Sequence, residues 1–124
     1  MKAFFDANVL LEILLPDRDN PDRAIQALRA ASAQVVSPLT VHLYVYFGQR
    51  QGFESEQLLA DVSKYLISDL GASEVAWAIK NHQNSDFEDA LQVASALTSD
   101  AQVFVTFDKK LAENYQKFIS VKVL

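Results

Sequence analysis

Short apolar runs that end on an acid just before a helical pattern constrain this chain more than any other feature. Lys2-Ala3-Phe4-Phe5 runs into Asp6, and Val103-Phe104-Val105-Thr106-Phe107 runs into Asp108. Between them, Ser85-Asp86-Phe87-Glu88-Asp89-Ala90-Leu91 sets acids at the start of a helix with apolar periodicity. Strands separated by helical patterns call for a mostly parallel sheet with helices on both faces. In such an open sheet, strand ends and helix starts meet along the carboxyl edge, where ligands bind. Carboxylates gathered there cannot all ionise at close range without a cation, and an all-oxygen set favours hard Mg²⁺ or Mn²⁺. Metal-dependent phosphate chemistry is the leading reading.

The periodicities place the elements. Strands are expected at Ala3–Phe5, Gln34–Val36, Ser73–Val75, Val103–Val105 and Ile119–Val123. One helix starts near Ala7. A second opens on Asn20 and Pro21 and carries Ala24, Ile25, Leu28 and Ala31 to about Ala33. A third spans Pro38–Arg50, with Leu39, Leu43, Tyr44 and Phe47 on one face and Gly52 behind it. A fourth carries Leu58, Leu59, Val62, Leu66 and Leu70, opened by Ser55 or Glu54 and closed by Gly71. Ser85 and Glu88 form a capping box for a helix that buries Phe87, Ala90, Leu91, Ala94 and Leu97. Lys109–Tyr115 is the last helix. One domain over 1–124 is expected, since 124 residues can bury a sizeable core.

Composition excludes several classes. Half the residues are hydrophobic and 22% are charged, which fits neither disorder nor a membrane protein. The run Val9-Leu10-Leu11-Glu12-Ile13-Leu14-Leu15 is broken by Glu12 and is far shorter than the roughly 20 residues a bilayer requires. Asp6, Asn8 and Glu12 interrupt what would be the apolar part of a signal peptide, so a cytoplasmic location is expected. The absence of cysteine agrees and removes disulfides, thiolate zinc sites and cysteine nucleophiles. A net charge of −5 argues against a stand-alone nucleic-acid binder, but a metal site can reverse the local field.

Each acid also has a purely structural reading. Asp6 can serve as an N-cap, and Asn8 can orient Asp6 or a bound water or be a plain first-turn residue. Asp86 and Asp89 lie on one flank of their helix, roughly 60° apart, with Glu88 on the other. Glu88 therefore reads as a capping residue and Asp89 as a ligand, while Asp86 gains from the helix dipole in either role. Thr106 reads as a cap for Lys109–Tyr115 or as a holder of outer-shell water, and Asp108 as a ligand. RNA would approach through the metal site or a local basic strip such as Lys109, Lys110 and Lys117, although paired lysines in a first helical turn are usually just solvated.

Three segments together resemble the PIN-domain family, which includes VapC-like toxin nucleases of type II toxin–antitoxin pairs. They are Phe5-Asp6-Ala7-Asn8-Val9-Leu10-Leu11, Asp86-Phe87-Glu88-Asp89-Ala90-Leu91-Gln92-Val93-Ala94-Ser95-Ala96, and Val105-Thr106-Phe107-Asp108. The resemblance implies a three-layer α/β/α sandwich around a central mostly parallel sheet. It implies metal-dependent cleavage of single-stranded RNA, with Mg²⁺ or Mn²⁺ as cofactor. Asp6, Asp89 and Asp108 match the catalytic, metal-binding acids, with Asp86 as helper and Asn8 and Thr106 in support. A cognate antitoxin and a second copy in a homodimer are the implied protein partners. One departure stands out: the family commonly carries a glutamate on the helix after the second strand. Leu43 stands at that position here, or His42 if the register slips by one.

Overall fold

In the computed structural model, which describes residues 1–83 and 86–124, five strands form one sheet in the order β3-β2-β1-β4-β5, every pair parallel. The strands are β1 (Lys2–Phe5), β2 (Ala33–Val36), β3 (Leu66–Ile67), β4 (Val103–Thr106) and β5 (Val121–Val123). The helices among the described residues are α1 (Ala7–Leu14), α2 (Pro21–Ala30), α3 (Pro38–Arg50), α4 (Ser55–Ser63), α5 (Ala72–Asn81), α6 (Phe87–Thr98) and α7 (Lys109–Tyr115).

Alternation along the strands builds the three layers. Phe4, Val35 and Phe104 face one core with Ala78, Ala90, Val93, Leu111 and Tyr115, which brings α5, α6 and α7 onto that side. Ala3, Phe5, Val36 and Val105 face the other core with Val9, Leu10, Ala24 and Leu28 from α1 and α2, and Val41 and Tyr44 from α3 pack against it. The α/β/α sandwich is as expected, and its sheet is wholly parallel.

The differences from expectation have local causes. Ser73–Val75 lies in α5, not in a strand: Glu74 Oε1 accepts the Gly71 N–H at 2.7 Å and Oε2 accepts the Thr98 hydroxyl at 2.8 Å, which starts a helix. The fourth helix stops at Ser63, and Leu66 belongs to β3 at the sheet edge, paired with Val35. The second helix ends at Ala30, and Ala33 opens β2. The last strand begins at Val121, with Ile119 buried just before it.

The buried positions of α3 are Thr40 and Gly48, while Leu39, Leu43 and Phe47 are half-buried. Gly48 is where α4 comes closest: a β-carbon there would lie 2.5 Å from Leu58 Cδ2, and Leu58 is itself buried. Gly48→Val should therefore cost about 1–3 kcal/mol through overpacking. Urea unfolding of the variant checks this, and wild-type stability would mean that α4 moves aside freely.

Candidate active site

The sheet order makes the carboxyl edge between β1 and β4 a crevice. The chain moves from β1 outward through β2 to β3, then returns to the opposite side for β4 and β5. At such a reversal the two following connections diverge and leave an opening. Asp6 follows β1 there, and Asp108 follows β4.

Asp6 is buried, 6% exposed, in extended conformation between β1 and α1. Its N–H donates to the Val105 carbonyl at 3.0 Å, extending the β1–β4 ladder by one bond. Its Oδ2 accepts the hydroxyl of buried Thr106 at 2.7 Å. It occupies the N-cap position of α1 without a side-chain capping hydrogen bond, so capping alone does not explain it. Burial pushes its pKa up to about 6, and the Asp108 charge adds to this. Thr106 and the nearby amides of Asn8 and Ala7 pull the other way.

Thr106 does not cap α7. Its Oγ1 accepts the Asp108 N–H at 3.0 Å, which ties the strand end to the turn. Asp108 is the cap: Oδ1 accepts the amides of Lys110 at 2.9 Å and Leu111 at 3.2 Å. An N-terminal acid so placed gains from the helix dipole.

Asp86 caps α6, with Oδ1 accepting the Asp89 N–H at 3.3 Å. The helix thus opens at Phe87, and Ser85, the expected cap, lies outside the described residues. Glu88 is exposed, and so is Phe87, against the expectation of a core position. The Asp89 pKa is pushed up to about 8, first by desolvation, then by a hydrogen bond with Asp86, then by the charges of Asp86, Asp6 and Asp108. Asp89 therefore feels the charge of all three other acids. Asn8 is exposed on the first turn of α1.

Glu12 stays outside this group: Oε1 accepts the Asn20 N–H at 3.0 Å, and Arg18 lies 3.9 Å from Oε2. The third helix carries no acid, and at its two register positions Leu43 is half-buried and His42 exposed. Tyr44 donates to Asp61 at 3.0 Å, and Trp77 packs edge-on against Phe118. Lys109 and Lys110 are exposed, and Lys117 lies over the Phe118 ring.

Among the described residues no group of three or more His, Cys, Asp or Glu side chains stands ready to hold a metal ion. The fit to a divalent cation lies in the donors. They are all carboxylate oxygens, and two of them, Asp6 and Asp89, hold protons more tightly than usual because of burial and the charges of neighbouring acids. A hard cation relieves that repulsion.

The sequence model of the PIN domain matches residues 3–117. The chain belongs to the PIN-domain family. Among solved structures, this PIN domain is similar to a toxin–antitoxin complex from Klebsiella pneumoniae, at 18% identity with a TM-score of 0.74, covering 98% of this chain and 96% of that one. It is also similar to VapBC2 from Rickettsia felis bound to a promoter DNA fragment, at 14% identity and a TM-score of 0.68, covering 100% and 99%. FitAcB from Neisseria gonorrhoeae matches at 17% identity and a TM-score of 0.56, covering 96% and 95%. At these identities the likeness shows the fold. Among curated proteins none is significantly similar in sequence.

Sequence reasoning missed the polar residues behind the acids. Ser37, Thr40, Gln92 and Ser95 are all buried. A polar side chain on a helix reads as solvated, and only the packing of α6 on the strand ends shows otherwise.

Proposed function

We propose that this PIN domain is a metal-dependent endoribonuclease acting on single-stranded RNA, the toxin of a toxin–antitoxin pair. One observation carries the reading: Asp6 and Asp89, more than eighty residues apart in sequence, both hold protons too tightly, and each feels the charge of Asp108. Mg²⁺ or Mn²⁺ bound there supplies Lewis-acid stabilisation of the negative charge that develops on a scissile phosphate. Asp6, Asp89 and Asp108 are the residues that would hold it, with Asp86 assisting. Thr106 keeps Asp6 oriented by donating to Oδ2, and Asp108, fixed by two amides through Oδ1, has Oδ2 left to act as a ligand. Asn8, exposed two positions after Asp6, is the proposed supporting residue. The proposed partners are RNA, a cognate antitoxin and a second copy of the chain. The proposed setting is cytoplasmic, and among the described residues no helix is long and apolar enough to cross a membrane.

A second reading is favoured by α3: with no acid at Leu43 or His42, the fold would act as an RNA- or protein-binding module with weak or no nuclease activity. Incubating mixed RNA with Mg²⁺, Mn²⁺ or EDTA separates the two. Cleavage that EDTA abolishes supports the nuclease. Activity should be low and need millimolar Mn²⁺, which binds such ligand sets more tightly than Mg²⁺. Leu43→Glu should strengthen metal binding if that side chain reaches the crevice. RNA left intact by pure protein in every metal supports the binding module.

A further inference from the structure

Helix α6 carries a polar stripe at one-turn spacing, Asp89, Gln92 and Ser95, and two of its members, Gln92 and Ser95, bond residues at the ends of different strands. Ser95 donates to the Asp69 carbonyl at 2.8 Å and hydrogen-bonds Ser68, whose N–H in turn bonds Val36, at the end of β3. Gln92 reaches the end of β2: its Oε1 accepts the Ser37 hydroxyl at 2.5 Å, and its Nε2 donates to Thr40 Oγ1 at 3.0 Å. Ser37 is also the N-cap of α3, accepting the Thr40 N–H at 3.2 Å, so the three residues close a ring. Asp89, next along the stripe, feels the charges of Asp6 after β1 and Asp108 after β4.

Gln92 is 1% exposed and its two partners are no more accessible, so the ring neither ligates a solvated ion nor meets RNA. Its amide uses both ends at once, accepting from the Ser37 hydroxyl and donating to Thr40 Oγ1. A fully paired buried amide of this kind specifies one orientation of the helix, whereas an apolar side chain of the same size would merely fill the space.

We propose that Gln92 is a positioning residue: by pinning α6 to Ser37 and Thr40 at the end of β2, it sets where Asp89 stands over Asp6 and Asp108. The proposal rests on the metal-dependent reading above. Partners that orient metal ligands typically cost roughly 10–100-fold in metal affinity or activity when removed.

The test compares wild type with Gln92→Met and with Gln92→Met/Thr40→Val, which replaces the central hydrogen bond by apolar groups of similar size. Mn²⁺ affinity is measured by calorimetry, RNA cleavage as kcat and KM, and folding by thermal melting. The expected result is a double variant that still folds, with a melting point lowered by the Ser37 hydroxyl left without its acceptor, yet binds Mn²⁺ roughly tenfold more weakly or worse. Its kcat should fall with KM nearly unchanged. A stable variant with wild-type Mn²⁺ affinity and kcat overturns the proposal and leaves the nuclease reading intact. Wild type that neither binds Mn²⁺ nor cleaves RNA overturns that reading instead, and the proposal with it. Should the variants fail to fold, Mg²⁺ titration of isotope-labelled wild type decides by NMR. The Gln92 side-chain amide signals should move together with the Asp89 backbone amide, and Gln92 signals that stay still while Asp89 moves overturn the proposal.

Discussion

Metal-free protein should be more stable at pH 5 than at pH 8, the reverse of what paired surface carboxylates produce. The cause is Asp6 and Asp89, whose folded-state pKa values lie near 6 and 8, against about 3.9 for an aspartate in an unfolded chain. Below that unfolded value both states are protonated and neither acid affects folding. As pH rises, the unfolded chain releases its protons first while the folded protein keeps them, so stability falls with pH through this window. For buried Asp6 the loss is complete above about pH 6. It amounts to about 3 kcal/mol, since each pH unit between the unfolded and folded pKa is worth about 1.4 kcal/mol. Asp89, partly exposed, extends the decline to about pH 8. Urea midpoints in EDTA across this range are the measurement. A flat or rising profile would show that burial and the neighbouring charges do not hold protons on Asp6 and Asp89 as described.

The second large effect is a substitution that helps the empty protein and harms the loaded one. Asp89→Asn removes a charge that Asp86, Asp6 and Asp108 all oppose, so the metal-free variant should melt above wild type at pH 8. Millimolar Mn²⁺ should raise the wild-type midpoint, since a ligand that binds only the folded state stabilises it by mass action, about 2.7 kcal/mol at a hundredfold excess over Kd. In Asp89→Asn that gain should largely vanish. Equal melting-point rises in the two proteins would place the ion elsewhere.

The acids are legible in the sequence because each follows a strong local signal. Asp6 and Asp108 end runs of alternating or wholly apolar residues that form β1 and β4, and Pro38–Arg50 and Lys109–Tyr115 match α3 and α7 residue for residue. Residues whose structure depends on distant pairing are not legible. Leu66 and Ile67 are both exposed, so β3 has no inward face to mark it and exists only through its ladder to Val35 and Val36. Leu66 and Leu70 happen to continue the period of α4 and hide the break. Ser73 to Val75 reads as a short strand, yet Glu74 turns it into a helix start. Thr106 reads as a cap of α7 because it stands close before the helix, but Asp108 is nearer and bonds two amides.

The 2.7 Å bond between Thr106 and Asp6 joins residues one hundred positions apart. A nascent chain emerging from the ribosome carries Asp6 from the outset, but it cannot bury that acid, or bring Asp108 near it, until β4 has been made and has paired with β1. The crevice is therefore among the last features to form during synthesis. Any partly made or truncated chain ending before Val103 lacks the wall that holds Asp6, whatever else of its fold is already in place.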